Sequence, residues 1–193
     1  MAGEPIYREG WKEIPPARPV TQEHVSHPDL LLSLHGPGRD GLKKSHHDEI
    51  DGDPYYIWSG KCDGSWAMCL RHRRVLIDFD ETGMVRCLSK QSGGHGLRLI
   101  VKPVDGPWLV SEQSADASDE WLEFEFRPRS LSWRLLDMEK VRVMGKVPTP
   151  SLARIDAIGF TDLKAGAGSD ACSRLAWIEV WGGRVPRAAV LEG

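Results

Sequence analysis

The sequence predicts an all-β protein, an antiparallel β-sandwich or jelly roll of about ten strands with little helix. Short apolar runs recur at close spacing along most of the chain, and clusters of Gly, Pro, Asp and Ser separate them. The clearest are residues 154–160 and 173–181, two alternating runs that flank a loop of small residues. Helical periodicity extends over one or two turns at most, at residues 135–141. A parallel α/β fold is excluded because its crossovers would need longer helices.

The chain is predicted to be one domain with an N-terminal extension, as its 193 residues allow. Residues 1–28 are polar and rich in proline, which predicts an extended arm with at most one edge strand or one turn of helix. Residues 29–183 hold the predicted strands and make up the sandwich domain. Residues 184–193 are predicted to be a weakly structured C-terminal tail.

The first half of the sandwich domain begins with a predicted strand at residues 30–35, and the Gly- and Pro-rich residues 36–41 make a turn after it. Residues 42–65 are the most polar part of the chain and predict mainly loop, with a short strand at 55–58. Closely spaced strands then follow at residues 66–72, 75–79, 84–89, 97–102 and 108–111.

The second half begins with residues 111–120, which predict a solvated loop. In the strand after it, at residues 121–126, three apolar side chains alternate with Glu123 and Glu125, so that one face is apolar and the other acidic. The remaining strands are predicted at residues 132–136, 141–144, 154–160 and 173–181.

Composition excludes some function classes. The net charge of −3 gives no general basic field, so no nucleic-acid partner is expected. No apolar run approaches the roughly 20 residues of a membrane helix, so no membrane partner is expected either. The first residues lack the order of a secretory signal. We therefore expect a cytoplasmic protein, or an exported one whose signal peptide has been removed. The oligomeric state is not predicted.

The four cysteines, Cys62, Cys69, Cys87 and Cys172, lack the spacing of a metal site. Each lies in or beside an apolar run, which predicts buried free thiols, with one disulfide as the alternative if the protein is exported. Tryptophan is unusually frequent, at eight residues. An indole ring serves equally as core filler and as a flat platform for a ligand.

The C-terminal stretch resembles a known family. Residues 155–160 (IDAIGF), a Gly-rich loop, and then Arg174 and residues 177–182 (WIEVWG) are similar to the closing strands of galactose-binding-like jelly-roll domains. Those domains include many carbohydrate-binding modules and accessory domains of glycoside hydrolases. The resemblance covers about the last 40 residues by motif. It implies a jelly roll that binds a carbohydrate or a similar polyhydroxylated ligand.

The same resemblance implies a structural calcium ion. Many such domains hold calcium between loop carboxylates and the Glu of the last strand, and Glu179 matches that position. Asp48, Asp51 and Asp53 would supply the remaining carboxylates, because calcium takes six to eight oxygen ligands and suits an Asp-rich loop with a Gly. The alternative for Glu179 is an exposed strand residue paired with Arg or Lys.

The densest titratable cluster is His46, His47, Asp48 and Glu49. In an enzyme, His46 or His47 would act as general base and Asp48 would orient it. The pair could instead bind a transition metal with a third ligand from elsewhere, because adjacent residues of a strand point to opposite faces. The candidates for that ligand are His35, His72 and His95. The plain alternative is a solvated loop.

A sugar site needs polar side chains for the hydroxyl groups beside an aromatic ring that covers the C–H face. Tyr55, Tyr56 and Trp58 could supply the ring, with Tyr55 on one face of its strand and the other two on the opposite face. The polar groups would come from Lys44 and from the turn that contains Lys90, Gln91 and His95. We therefore expect a saccharide or other small molecule between these two segments.

Two other patterns carry weaker alternatives. Glu123 and Glu125 lie about 6–7 Å apart on one strand face, a separation similar to that of paired carboxylates in glycoside hydrolysis, although alternating Glu also keeps a sheet face wet. The basic residues 71–74 predict a solvated hairpin turn. The chain has no nucleophile elbow, phosphate-binding loop or dinucleotide fingerprint.

Three functions are therefore open. The leading one is carbohydrate binding on a jelly roll. The second is a glycoside-active hydrolase or lyase on the same scaffold, using His46 or His47. The third is a His-assisted isomerase or cyclase of a small metabolite in a Trp-lined pocket.

Overall fold

The computed structural model describes residues 4–79 and 81–187, which form fifteen strands and three short 3₁₀-helices. The strands are β1 (Tyr7–Glu9), β2 (Leu30–His35), β3 (Lys43–Ser45), β4 (Tyr56–Trp58), β5 (Ala67–His72), β6 (Val75–Asp78), β7 (Met84–Ser92), β8 (Leu97–Pro103), β9 (Leu109–Ala115), β10 (Ser118–Phe126), β11 (Trp133–Asp137), β12 (Arg142–Val147), β13 (Ile155–Thr161), β14 (Cys172–Trp181) and β15 (Gly183–Pro186). The 3₁₀-helices are Gln22–His24, Arg39–Gly41 and Pro128–Ser130.

Two antiparallel sheets form a β-sandwich and confirm the predicted fold class. The first sheet has the order β10-β7-β14-β4-β3, and β1 pairs with β14 beside β4. The second sheet has the order β12-β11-β9-β8-β13-β5-β2, with β6 beside β13 and β15 on β6. The long strand β14 lies at the centre of the first sheet because its alternating apolar residues fill the core from one side.

The core lies between the two sheets. Leu175, Ile178 and Val180 of β14 belong to the same apolar cluster as Leu99 of β8 and Phe160 of β13. Burial of these aliphatic and aromatic side chains supplies the main driving force for folding. The opposite side of β14 therefore faces away from the core, and this is where the candidate site lies.

A second apolar cluster covers the outer face of the second sheet. Leu136, Met138 and Val141 come from β11 and the turn that follows it, and they pack with Cys69 of β5 and Ile100 of β8. The β11-β12 hairpin therefore folds back over this face, so the second sheet is buried on both sides there.

The N-terminal arm contributes to the sandwich within its described part. Strand β1 pairs with β14 through Tyr7 and Val180, and Trp11, Val20 and Val25 join the core cluster. The predicted edge strand therefore exists. It closes the first sheet beside β4.

Three segments differ from the prediction. Residues 43–45 lie in the segment expected to be mainly loop, but they form β3 and pair with β4. Residues 111–120 were expected to be a solvated loop, but β9 and β10 continue through them and leave only a short turn at Asp116 and Ala117. Their polar side chains obscure the alternation because both strands are partly exposed there. The weakly structured tail was expected after Gly183, yet β15 pairs with β6 from Gly183 to Pro186. Residues 188–193 of that tail lie outside the described residues.

Candidate functional site

The outer face of the first sheet concentrates aromatic and charged side chains. Because Leu175, Ile178 and Val180 point into the core, the alternate residues of β14 point outwards. The neighbouring strands add their own outward residues through the register. We call this surface the tryptophan face, and it consists of Arg8, Tyr56, Trp58, Arg86, Lys90, Trp121, Glu123, Arg174, Trp177, Glu179 and Trp181.

The aromatic rings of the tryptophan face are half-buried, except Tyr56, which is buried. The Tyr56 and Trp121 rings meet edge to face with their centroids 5.3 Å apart. The indole N–H of Trp58 donates to Sγ of Cys172 at 3.0 Å, which fixes that ring at the level of Arg174. Trp177 lies 4.4 Å below the guanidinium carbon of Arg8. Tyr56, Trp58, Trp121 and Trp177 thus each have a contact that orients the ring before any ligand arrives.

Charged side chains lie between these rings. Arg86 pairs with Glu123 at 2.5 Å and with Glu179 at 3.4 Å, and Arg8 also pairs with Glu179. Arg174 donates to the hydroxyl of Ser92 at 3.4 Å and to the carbonyl oxygen of Ser169 at 3.2 Å. Several donors and acceptors therefore stand in fixed geometry beside the rings.

The polar loop at residues 46–55 continues one edge of this face. Nδ1 of His47 lies 3.0 Å from Oδ2 of Asp53 and 3.2 Å from the hydroxyl of Tyr56. The side chain of Asp53 is only 8% exposed, whereas that of His47 is 43% exposed. Burial raises the pKa of Tyr56. His47 is therefore an accessible imidazole held by a buried carboxylate.

His46 lies on the other side of the same loop. Its ring stacks on Tyr55 with centroids 4.0 Å apart, and its Nε2 lies 3.2 Å from the exposed carboxylate of Asp48. Nδ1 of His46 also lies 4.0 Å from Oδ2 of Asp53, so both adjacent histidines approach this one carboxylate. Asp53, and not the predicted Asp48, is the carboxylate that holds His47.

The predicted ligand residues separate into two groups. Tyr56, Trp58 and Lys90 lie on the tryptophan face, where Arg174 stands between Trp58 and Lys90. The predicted division of Tyr55 from Tyr56 and Trp58 is confirmed by the register of β4. The two predicted segments therefore meet across β14.

The other group points inwards or elsewhere. Lys44 is fully buried, donates to the carbonyl oxygen of Ile14 and lies 3.9 Å from the Tyr55 ring. Both polar atoms of the Gln91 side chain are buried without a hydrogen-bond partner in the described part of the chain. His95 contacts Asp162 at the end of the sandwich. These three residues and Tyr55 are not members of the tryptophan face.

The predicted metal ligands are not assembled into a site. Within residues 4–79 and 81–187, no three His, Cys, Asp or Glu side chains are placed to hold a metal ion. Glu179 already pairs with two arginines, and Asp53 with His47. Asp48 and Asp51 are exposed. Asp48, Asp51, Asp53 and Glu179 are therefore not gathered as the ligands of one calcium ion would be, and calcium binding stays a prediction that chelation would test.

The histidines that were candidates for the third ligand of a transition metal also lie apart from His46 and His47. His35 packs against Trp108 with centroids 5.6 Å apart, and His72 stacks with Tyr7. The paired carboxylates Glu123 and Glu125 both have arginine partners, Arg86 and Arg127 respectively. All four cysteines are buried and free, as predicted.

Sequence reasoning missed several residues of the face. Trp121, Trp177 and Trp181 are candidates for core or platform in the sequence but not for the site, and Arg8 lies in the predicted arm. The alternation of β14 marks Trp177, Glu179 and Trp181 as sharing one side, and this was the available signal. The Trp121 side chain contacts Tyr56 across two intervening strands. This contact depends on the order of the strands in the sheet, and the sequence alone does not reveal that order.

The sequence matches no protein-family model, and no curated protein matches it. Among solved structures, the chain is similar to a family 11 carbohydrate-binding module from Clostridium thermocellum in complex with a β-1,3-1,4-mixed-linked tetrasaccharide. The two are 17% identical, with 87% of this chain and 96% of that chain covered and a TM-score of 0.49.

A second similar structure is a mutant of a family 29 carbohydrate-binding module, at 15% identity and a TM-score of 0.43, covering 79% of this chain and 94% of that one. A third is the glycoside hydrolase domain of Endo-D from Streptococcus pneumoniae, at 16% identity and a TM-score of 0.40. The match covers 78% of this chain but only 21% of that one.

None of the helices in the described residues is long and apolar enough to span a membrane.

Proposed function

We propose that this protein binds a carbohydrate on the tryptophan face. One observation carries the proposal: four half-buried tryptophans share one sheet surface with arginine and glutamate side chains between them. An indole ring covers the apolar C–H face of a sugar, and planar charged groups hydrogen-bond its hydroxyls. A core-filling role does not explain these rings, because all four point away from the core.

The size of the face favours an oligosaccharide over a single sugar. From β10 across β7 and β14 to β4, three strand spacings extend over about 14 Å. Along β14, the seven residue steps from Arg174 to Trp181 extend over roughly 23 Å. Trp58 and Trp177 lie at different levels of this surface, so that successive rings of one chain could each contact an indole.

Affinity measurements on tryptophan variants test this proposal. We would titrate the chain by calorimetry with soluble cello-, xylo-, manno- and mixed-linked gluco-oligosaccharides. For the ligand that binds, Trp177→Ala and Trp121→Ala should each lower the affinity by about tenfold or more, since an aromatic contact of this kind contributes roughly 1–3 kcal/mol. The matched control is Trp108→Ala, because Trp108 is also half-buried but lies on the second sheet. Equal affinities for all three variants and the wild type would contradict the proposal.

A second candidate function is acid–base catalysis at the edge of the same face. The accessible His47, held by the buried Asp53 beside the Tyr56 hydroxyl, favours it. With Nδ1–H donating to Asp53, Nε2 of His47 is left to accept a proton from a bound ligand. This arrangement would suit a hydrolase, lyase or isomerase.

Product analysis separates the two functions. If the protein is an enzyme, incubation with the bound ligand yields a product of new mass or new ring form, and His47→Ala abolishes its formation while binding persists. If the protein only binds, the ligand is recovered unchanged from wild type, and His47→Ala alters affinity by a small factor at most. His24→Ala is a control, because His24 lies in a 3₁₀-helix outside the site.

A further inference from the structure

A buried histidine–carboxylate pair lies at one end of the sandwich, outside the tryptophan face. His95 is in the turn between β7 and β8, and Asp162 directly follows β13. Nδ1 of His95 lies 2.7 Å from Oδ2 of Asp162, and their side chains are 4% and 0% exposed. The pair is independent of His46 and His47.

The contacts of Asp162 fix the role of each nitrogen in His95. The hydroxyls of Ser173 and Ser59 donate to Oδ2 at 2.8 and 3.3 Å, and the backbone N–H of Lys164 donates to Oδ1 at 3.0 Å. Because Oδ2 of Asp162 is an acceptor in these contacts, we infer the tautomer in which Nδ1–H of His95 donates to it. Nε2 is then free to accept, and no side chain or carbonyl of the described residues hydrogen-bonds to it.

His95 and Asp162 line a cavity of 230 Å³ that we call the His95 cavity. Arg98, Ser114, Asp116 and Lys164 also line it. A cavity of this volume suits a small organic molecule better than an oligosaccharide.

Two cations of this cavity lack a carboxylate partner. Arg98 donates to the carbonyl oxygens of Ser111 and Glu112, and Nζ of Lys164 donates to the carbonyl oxygen of Gly94 at 2.8 Å. In the described ranges, neither forms an ion pair with Asp or Glu. The carboxylates of Asp116 and Asp162 line the same cavity without pairing with these cations, so both cations keep N–H donors for an anion, and the carbonyl contacts hold both side chains at the cavity wall.

We propose that the His95 cavity is a second ligand site, for a small hydroxylated carboxylate such as a sugar acid. The ligand carboxylate would pair with Arg98 and Lys164. One hydroxyl would donate to Nε2 of His95, and another could donate to the carboxylate of Asp116. The set of two cations, one imidazole acceptor and one carboxylate acceptor distinguishes such an acid from a neutral sugar, which would leave the cations unpaired.

The imidazole resonances of His95 in the full chain report on this site directly. We would titrate D-glucuronate and, as its neutral counterpart, D-glucose. Glucuronate should shift the His95 resonances saturably, and glucose should not. Lys164→Gln should weaken glucuronate binding by about tenfold, while its backbone N–H still donates to Asp162. Lys12→Gln is the matched control, because Lys12 is exposed and lies outside the cavity.

Three results would overturn the proposal: no shift of His95 with glucuronate, an equal shift with glucose, or unchanged affinity in Lys164→Gln. Because Lys164 is exposed, this variant is expected to fold. The outcome is separable from carbohydrate binding on the tryptophan face. If glucuronate shifts only indole resonances of that face, the His95 cavity is not a site and the proposed function stands.

Discussion

Lys44 is an unusual residue because its charged side chain is fully buried. Its ammonium group donates to the carbonyl oxygen of Ile14 and lies over the Tyr55 ring. Burial lowers the pKa of Lys44, and the charge of Glu13 partly opposes that effect. The residue supports the loop of His46 and His47 from inside, and it has no direct access to a ligand.

A stability prediction follows from the lowered pKa of Lys44. Between that pKa and the ordinary lysine value, the unfolded chain binds more protons than the folded one, so stability rises with pH. The free energy of unfolding of the wild type relative to Lys44→Met should therefore rise with pH once the pH exceeds the lowered pKa of Lys44, up to the ordinary lysine value of about 10.4, by at most about 1.4 kcal/mol per pH unit.

Urea unfolding of both proteins at several pH values measures this difference, and other titrating groups cancel in the comparison. A difference that stays constant or falls with rising pH would contradict the buried, charged environment described for Lys44.

At the scale of elements, the N-terminal arm is held by one buried carboxylate. Glu9 accepts hydrogen bonds from the backbone N–H of Trp11 at 2.7 Å, of Ser26 at 2.8 Å and of His27 at 2.9 Å. Its side chain therefore joins the end of β1 to the segment before β2. This explains why a polar, proline-rich arm is ordered against the sandwich.

Glu9→Ala should lower the free energy of unfolding by about 3 kcal/mol, because it leaves several backbone donors without an acceptor. Glu9→Gln keeps an acceptor oxygen and should cost less. Chemical denaturation measures both, with the exposed Glu23→Ala as the control. The described role of Glu9 would be wrong if Glu9→Ala were as stable as Glu23→Ala.

Strands with a clear apolar run or alternation were predictable from the sequence, and strands without one were not. β2 begins and ends where the apolar run predicts, and β14 differs by one residue. β3 has three residues, β15 has four, and neither shows a clear alternation of apolar and polar side chains. Their extended conformation therefore depends on pairing with a neighbouring strand of the sheet. β10 was predicted too short because its first residues are polar, yet they pair with β7.

The candidate site was predictable only in part, for a related reason. Alternation in β4 correctly put Tyr56 and Trp58 on one side. It could not show that Trp121 reaches Tyr56, since this contact depends on the order β10-β7-β14-β4. Nor could it separate the half-buried Trp58 from the buried Trp66, because both adjoin apolar runs.

At the scale of the whole molecule, three buried thiols make the free energy of unfolding depend on pH in the alkaline range. Burial raises the pKa of Cys62 and of Cys87 to about 12, and it raises that of Cys69 as well. Above the ordinary thiol pKa of about 8.5, the unfolded chain loses these protons while the folded one keeps them.

The free energy of unfolding should therefore fall as pH rises from about 8.5 to about 12, with each thiol contributing up to about 1.4 kcal/mol per pH unit. Urea denaturation across this range tests the expectation. Cys87→Ala should reduce the slope by one thiol's contribution. The buried state of the thiols would be refuted if the slope of the wild type matched that of a variant lacking all three.

The central claim is that the first sheet presents a carbohydrate-binding face. The most direct test is a titration with the oligosaccharide panel, followed through the indole N–H resonances of all eight tryptophans. We predict that a binding saccharide shifts the signals of Trp58, Trp121, Trp177 and Trp181, while the buried Trp11, Trp66 and Trp133 stay in place. A panel that shifts none of those four signals, or a ligand that shifts only Trp108 on the second sheet, would contradict the account.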